Sequence, residues 1–506
     1  MELPNDIATC HRMILELASA LEGIKPQLEG YMHQIKGYIH QIEVQQGQIE
    51  MQRGQIEVQR GQIAQLELRV KELESQRDQN SRNSSRPPST DWKKSKPAFP
   101  RSAGGKIGGK KGHDGGTLKM VVQPDQVVPH QLYVCKHCGK AHFQEPLRVQ
   151  ARRQVFDIPQ PRIEVREHQV MTWMCCSCHL ENRGEFPAGV TSQAQYGVRL
   201  QTMSVLLNNA YGIPRNKVQQ IFKDLYGVTL NEGTLQSQQE SAYQALAPDE
   251  AHIKSSLSQS PVVHFDETGF YVSKERYWEH VASNERFTYL FVHRQRGAAA
   301  HEEHLSILPG FKNWAVHDCW SSYFLFNLCQ HAVCGSHLLR ELTALIEQGS
   351  KWAKKCHAFL LDLYRRSGKG QRHIPQKQQH KILLKYQSLL QQADKEEPPP
   401  IQNARGKPKK TKGRNLLDRL TKHQQAILAF AFHSIVPFTN NQAERDIRPT
   451  KTKMKVSGCF RTTEGAKIYA RVQSFVSTVR KLQFNPFNEL YTVLSGGIPE
   501  YRLAGG

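Results

Sequence analysis

Ile7, Ile14, Leu21, Leu28, Ile35, Ile42, Ile49, Ile56, Ile63 and Val70 recur every seven residues without a miss. Three residues after each stand Cys10, Leu17, Ile24, Tyr31, Tyr38, Gln45, Gln52, Gln59, Leu66 and Leu73. Only an α-helix wound against a partner keeps such an a/d seam on one side over this length, so residues 1–79 are predicted to be a coiled-coil zipper. The heptads Gly47 to Arg53 and Gly54 to Arg60 are near-copies, with Gln at the d positions and Gly in each copy. Both weaken the seam, and Pro26 is expected to break the helix early. The partner is either another copy or a second helix of the same chain. No second stripe of matching length exists in the sequence, which favours a homo-oligomer.

Beyond the zipper, periodicity stops. From Asn80 to Thr117 the composition turns to Ser, Pro, Gly and basic residues, including Lys106, Lys110 and Lys111. Such a segment cannot bury a core, so residues 80–117 are predicted to be a flexible basic linker suited to phosphate contacts. The whole chain, 506 residues, carries a formal charge of +22, which calls for a polyanionic partner, and on composition alone nucleic acid and an anionic membrane surface satisfy it equally well. Met1 to Asp6 shows no basic and apolar leader pattern, and no apolar run reaches membrane-spanning length. A cytoplasmic protein without a membrane partner is expected, and there eleven cysteines point to metal or packing before disulfides.

Four of those cysteines form two CxxC turns, Cys135-Lys136-His137-Cys138 and Cys175-Cys176-Ser177-Cys178. Each turn supplies two thiolates to a tetrahedral Zn²⁺, and four thiolates leave no open position, so one structural zinc is predicted in residues 118–190. Cys176 competes with Cys175 as the ligand. The β-like runs Arg152 to Ile158 and Ile163 to Thr172 suggest a zinc-ribbon hairpin. Residues 191–258 return to helical spacing, with breaks at Tyr211-Gly212-Ile213-Pro214 and Tyr226-Gly227-Val228. Helix-turn-helix contact with DNA and plain three-helix packing both explain that pattern.

The chemistry centres on three carboxylates. Val262-Val263-His264-Phe265-Asp266 is a β-branched, aromatic run that reaches an acidic pair, and a carboxylate buried there needs a cation or hydrogen-bond donors. Tyr277 to His280 and Phe287 to Val292 flank a turn at Ser283-Asn284-Glu285-Arg286, a helical stretch follows near His301 to Leu308, and Asn313 to Asp318 repeats the strand ending in His-Asp. Val333 to Leu342 reads as a strand running into a helix. That order is the order of a ribonuclease-H-like core, predicted for residues 259–480 and interrupted by a helical insertion at about 343–436. The insertion includes one apolar helix from Leu416 to Phe432. A third carboxylate comes from Glu444, on a helix capped by Asn440 or Asn441 and stopped near Pro449. Basic residues follow it: Arg445, Arg448, Lys451, Lys453, Lys455, Arg461 and Lys467 would hold a phosphate backbone. Residues 481–506 are left as a C-terminal tail. The fold class is thus multidomain α+β: coiled coil, zinc-ribbon-like module and ribonuclease-H-like α/β core.

Taken together, the zipper, Asn83-Ser84-Ser85-Arg86-Pro87-Pro88-Ser89, Gly108-Gly109-Lys110-Lys111-Gly112-His113, the cysteine turns, Asp266-Glu267-Thr268, His317-Asp318-Cys319-Trp320-Ser321-Ser322-Tyr323, Cys334-Gly335-Ser336-His337 and Asn440-Asn441-Gln442-Ala443-Glu444-Arg445 resemble the insertion-sequence-66 group of DDE transposases. The resemblance covers nearly the whole chain. It implies Asp266, Asp318 and Glu444 as the catalytic triad, holding two Mg²⁺ or Mn²⁺ ions. It also implies DNA, both element ends and target, as substrate, with accessory proteins of the same element as partners. A bacterial protein acting at the nucleoid would follow. Two rivals stand beside this reading: a nuclease that cuts without joining, and a non-catalytic, zinc-stabilised DNA-binding protein. Cys334 with His337 is a two-residue metal pair or simply packing.

Overall fold

The structure, a computed structural model, describes residues 6–80, 82–84, 118–130, 133–141, 149–302, 305–368, 372–400 and 410–504. Lys106, Lys110 and Lys111 lie outside the described residues. The chain divides into two units, Met1–Asn80 and Ser81–Gly506.

The first unit is one helix of 71 residues, α1 (Ile7–Arg77). Asp6 caps it, accepting the Thr9 backbone N–H at 2.9 Å. The expected break at Pro26 does not occur, because the helix runs straight through it. Proline there removes one donor and frees one carbonyl on an exposed face, where water satisfies it, and the remaining bonds of so long a helix absorb the loss. An unbroken helix cannot form a hairpin with itself, so the intramolecular pairing is not adopted. Within this unit the a positions from Ile7 to Val70 are all exposed.

The second unit begins with a small hairpin, β1 (Thr172–Met174) against β2 (Glu181–Arg183), closed by the Cys175–Cys178 turn. Most of the two β-like runs expected upstream is extended chain outside any strand, since alternation without a partner's N–H and C=O groups makes no ladder. Four helices follow, α2 (Val198–Val205), α3 (Arg215–Tyr226), α4 (Glu232–Ala245) and α5 (Ala247–Ser258), with the breaks where the periodicity predicts them. Val218, Phe222, Leu230 and Leu235 form a buried core of their own, and this packing accounts for the helical spacing.

The sheet comes next: β3 (Val262–Val272), β4 (Glu275–Ser283), β5 (Thr288–His293), then α6 (Ala298–Glu302), β6 (Trp314–His317) and β7 (Gln330–Val333). Its order is β5-β4-β3-β6-β7. The first three strands form an antiparallel meander, while β6 joins β3 and β7 joins β6 in parallel. The turn between β4 and β5 is the predicted one, with Asn284 Oδ1 accepting the N–H groups of Arg286 and Phe287 at 2.8 and 2.7 Å.

The insertion is helical as predicted: α7 (Gly335–Glu347), α8 (Lys351–Arg366), α9 (Gln376–Glu396), α10 (Lys412–Lys422) and α11 (Gln424–Phe432). Trp352, Leu360, Tyr386, Leu417 and Phe430 give it a core that continues into the β6–β7 side of the sheet. The single apolar helix expected over Leu416 to Phe432 is two helices, because the chain leaves helical geometry at His423. Then come α12 (Asn441–Asp446), α13 (Arg448–Ser457), α14 (Thr463–Lys481), α15 (Pro486–Leu494) and α16 (Glu500–Leu503). The helix that carries Glu444 ends at Asp446, close to Pro449 as expected, and Pro449 itself lies in the first turn of α13, where its missing donor is unneeded. α14 lies along β5, and its Ser474 and Thr478 hydroxyls accept the Leu290 and Thr288 N–H groups at 2.8 and 3.0 Å, closing that sheet edge. Residues 481–504 are no tail. Leu490, Val493 and Tyr501 pack into one core with Val205, Leu206, Leu246 and Phe475, as burial of that much apolar surface favours. Overall the chain is mixed α+β, a long N-terminal helix followed by helices around a mixed five-stranded sheet.

Candidate active site

Asp266 lies midway along β3, the central strand, and Asp318 follows directly after β6. Parallel pairing sets Val262 beside Trp314 and His264 beside Val316; carried two residues further, the same register sets Asp266 beside Asp318. The chain bends sharply after β6, with Cys319 at φ 70°, and the bend brings the Trp320 N–H to Asp318 Oδ1 at 3.1 Å. Asp266 Oδ1 accepts the Glu267 N–H at 2.9 Å. Burial, then the charges of Glu267 and Asp318 and finally that of Glu444, push the Asp266 carboxyl up to about 8. Burial thus acts most on Asp266 and Glu267 of this acidic group, and Asp318 and Glu444 are only half-buried.

Glu267 was read in the sequence only as a neighbour of Asp266. It is nonetheless built into the site: Arg296 Nε donates to its Oε1 at 2.8 Å and the Tyr323 hydroxyl donates to its Oε2. The Arg296 guanidinium is in turn stacked over Trp320 and Trp278, 3.0 and 5.0 Å from the ring centroids. Burial and Asp318 nevertheless hold the Glu267 carboxyl above its ordinary range. Arg296 lies in the loop after β5, far from both motifs in sequence, and nothing local marks it as a partner.

Glu444 is brought in by α12. Asn440, expected as a cap, does not cap through its side chain; it spans from α12 to β3, donating to the Phe265 carbonyl at 2.8 Å and meeting His264 Nδ1 at 2.8 Å. Its own N–H points at Cys334 Sγ, 3.1 Å away. Glu444 Oε1 stands 3.8 Å from His337 Nδ1 and 3.5 Å from Arg340 Nη2, at the edge of a cleft of about 420 Å³ lined by Ser336, Thr343, His357 and Asn441. Burial, with Arg340 and Lys451 nearby, pushes the His337 imidazole down to about 3, so it is neutral. Among the described residues, Cys334, His337 and Glu444 are the one group of three or more His, Cys, Asp or Glu side chains whose ligand atoms all lie within 4.8 Å of one another. Asp266 and Asp318 do not join that group, and neither do the cysteines of the two turns form one.

Those turns are alike. In each the first cysteine's N–H and C=O close a tight loop, Cys135 with Lys140 and Gly139, Cys175 with Leu180 and His179. N–H groups of His137 and Cys138, and of Ser177 and Cys178, point at the Cys135 and Cys175 sulfurs and hold both thiols below their ordinary range. Cys175, not Cys176, thus occupies the position that matches Cys135. Of the basic residues beyond Glu444, Arg445, Arg448, Lys451, Lys455, Arg461 and Lys467 are exposed. Lys453 is turned inward, with Nζ 3.2 Å from the Asn208 carbonyl and over the Tyr469 ring, so its amine faces protein rather than solvent. Burial and Arg215 bring that amine down to about 8.

Among the described residues no helix is long and apolar enough to cross a membrane. A family of unknown function (DUF6444) matches residues 34–119, the later part of the zipper and the linker. No curated protein gives a significant match to the chain. The family described as Transposase IS66 family matches residues 193–468, more than half of the chain and a span that includes Asp266, Asp318 and Glu444 together: the chain belongs to the IS66 family of transposases.

Proposed function

We propose that this transposase cuts DNA at the ends of its element and joins the freed ends to target DNA, using Asp266, Asp318 and Glu444 of a ribonuclease-H-like core. The observation that carries the reading is the placement of the carboxyls: Asp266 lies in the central strand, Asp318 directly follows the parallel strand beside it, and burial with the charges of Glu267, Asp318 and Glu444 holds the Asp266 carboxyl above its ordinary range. Like charges gathered in a buried place are costly unless a cation compensates them, and the donor set is hard oxygen, which fits Mg²⁺ or Mn²⁺. Bound there, two such ions would supply the charge that acidifies a water and stabilises the leaving 3′ oxygen. Asp266 on β3 and Asp318 just after the adjacent β6 hold one side of that site, and Glu444 holds the other from α12. Arg296 and Tyr323 hold Glu267 in place beside Asp318. Water breaks the phosphodiester at the element end and leaves a 3′ hydroxyl, which then attacks a target phosphodiester and releases a target 3′ hydroxyl; no bond to the protein forms. Exposed Arg445, Arg448, Lys451, Lys455 and Arg461 grip phosphates, and the linker lysines Lys106, Lys110 and Lys111 add contacts that read no sequence. One Zn²⁺ on Cys135, Cys138, Cys175 and Cys178 would stiffen the module ahead of the core. The zipper seam pairs two copies and so two ends, with accessory proteins of the element as further partners.

DNA bearing the sequences that flank the gene, incubated with Mg²⁺ or Mn²⁺, tests this. Metal-dependent cutting and joining by the wild type, absent in Asp266→Asn and in Glu444→Gln, is the expected result. Cutting without joined products would leave a nuclease, and binding with equal behaviour of all three proteins would leave a non-catalytic DNA-binding role.

A further inference from the structure

We propose that Cys334, His337 and Glu444 form a further metal site, for a transition ion of the Zn²⁺ type, where β7 runs into α7 and meets α12. It shares Glu444 with the proposed triad but stands on its own geometry. Cys334 follows β7 as the N-cap of α7 and His337 lies in the first turn of α7, so a CxxH spacing turns thiol and imidazole to the same side. Glu444 reaches them from a separate helix. One ligand atom from each of the three falls within 4.8 Å of the others, and Nδ1 and Oε1 are 3.8 Å apart, against the roughly 3.3–3.8 Å that separates ligands sharing a tetrahedral zinc.

Two further observations point to a ligand. His337 Nδ1 and Glu444 Oε1 are buried, face each other at 3.8 Å and have no hydrogen-bond partner, an arrangement that is unfavourable unless something bridges them. Cys334 Sγ, for its part, receives backbone N–H groups from Asn440 and His337, as the Cys135 and Cys175 sulfurs do in their turns; burial nonetheless pushes its thiol up to about 11, so a thiolate there needs a cation beside it. A sulfur, nitrogen and oxygen set disfavours Mg²⁺ and Ca²⁺ and suits Zn²⁺ or Co²⁺. Arg340, 3.5 Å from the same Glu444 oxygen, is the competing partner and would be displaced. Using Oε1 here leaves the other Glu444 oxygen for the triad, so the ion would set where α12 begins.

The test uses full-length protein stripped of metal, then loaded with Zn²⁺ for native mass spectrometry or with Co²⁺ for the thiolate charge-transfer band. Cys334→Ser and His337→Ala should each bind one ion fewer than wild type, and Cys334→Ser should weaken the cobalt band. Asp266→Asn should keep the full count and band while losing DNA cleavage, which separates this site from the triad. A Cys135→Ser, Cys175→Ser double variant should retain the Cys334 contribution. Ion counts equal to wild type in both Cys334→Ser and His337→Ala would overturn the proposal. Should Cys334→Ser fail to fold, His337→Gln decides it: an unchanged count refutes the site, and loss of one ion with an unchanged helical spectrum supports it.

Discussion

Asp266 shows how one residue links stability to chemistry. Its carboxyl ordinarily titrates near 3.8 and is pushed up to about 8 in the folded, metal-free chain. A raised acid favours folding while it is protonated, so this contribution is present at low pH and is lost as pH climbs from about 4 through about 8. Thermal melts of metal-free protein should therefore fall across that window. Asp266→Asn should flatten the fall and raise the melting temperature at its alkaline end, and Mg²⁺ should rescue the wild type there but not the variant. An unchanged pH slope in Asp266→Asn would show that the charge cluster is not what strains the site. Lys453 makes the opposite point. Its amine is buried against Asn208 and Tyr469, so Lys453→Ala should lower stability by about 1–3 kcal/mol, whereas Lys451→Ala should weaken DNA binding and its salt dependence with little effect on folding.

At the scale of elements, α12 depends on the contacts that fasten it to β3 and β7. Asn440→Ala would leave the Phe265 carbonyl and His264 without their partner and should cost about 1–3 kcal/mol in denaturant unfolding. Because the same contacts place Glu444, cleavage should drop more than DNA binding does. Gly335, whose N–H bonds the Phe438 carbonyl at 2.8 Å, sits where any side chain would enter the Phe438 ring. Gly335→Ala should destabilise the β7–α7 junction by roughly 1–3 kcal/mol. In α1 the weak heptads can be repaired: replacing Gln45, Gln52 and Gln59 by Leu should raise the melting temperature of the zipper, read by circular dichroism.

For the whole molecule, a helix of 71 residues exposing an apolar seam has little to gain from standing alone. Ile35→Lys with Ile42→Lys should reduce the mass seen by light scattering to that of one chain. End joining, which needs two ends held together, should then fall further than cutting of a single end. Equal mass for wild type and the double variant would remove the zipper as the assembly element.

Much of this was legible along the chain, for a common reason. The heptads, the breaks at Pro214 and Gly227, the β4–β5 turn at Asn284 and the strand-to-helix passage at Cys334 are local patterns, decided by residues within a turn or two of one another. The sequence by itself determined the long helix, the mixed α+β class and the membership of the family. Only the tertiary structure decided what the acidic positions touch. Arg296 on Glu267, Asn440 on β3, Lys453 turned inward, α15 and α16 packed into a core instead of trailing, and Glu444 set against Cys334 and His337 all join residues distant in sequence. Burial and charge act through space, and no spacing along the chain records them.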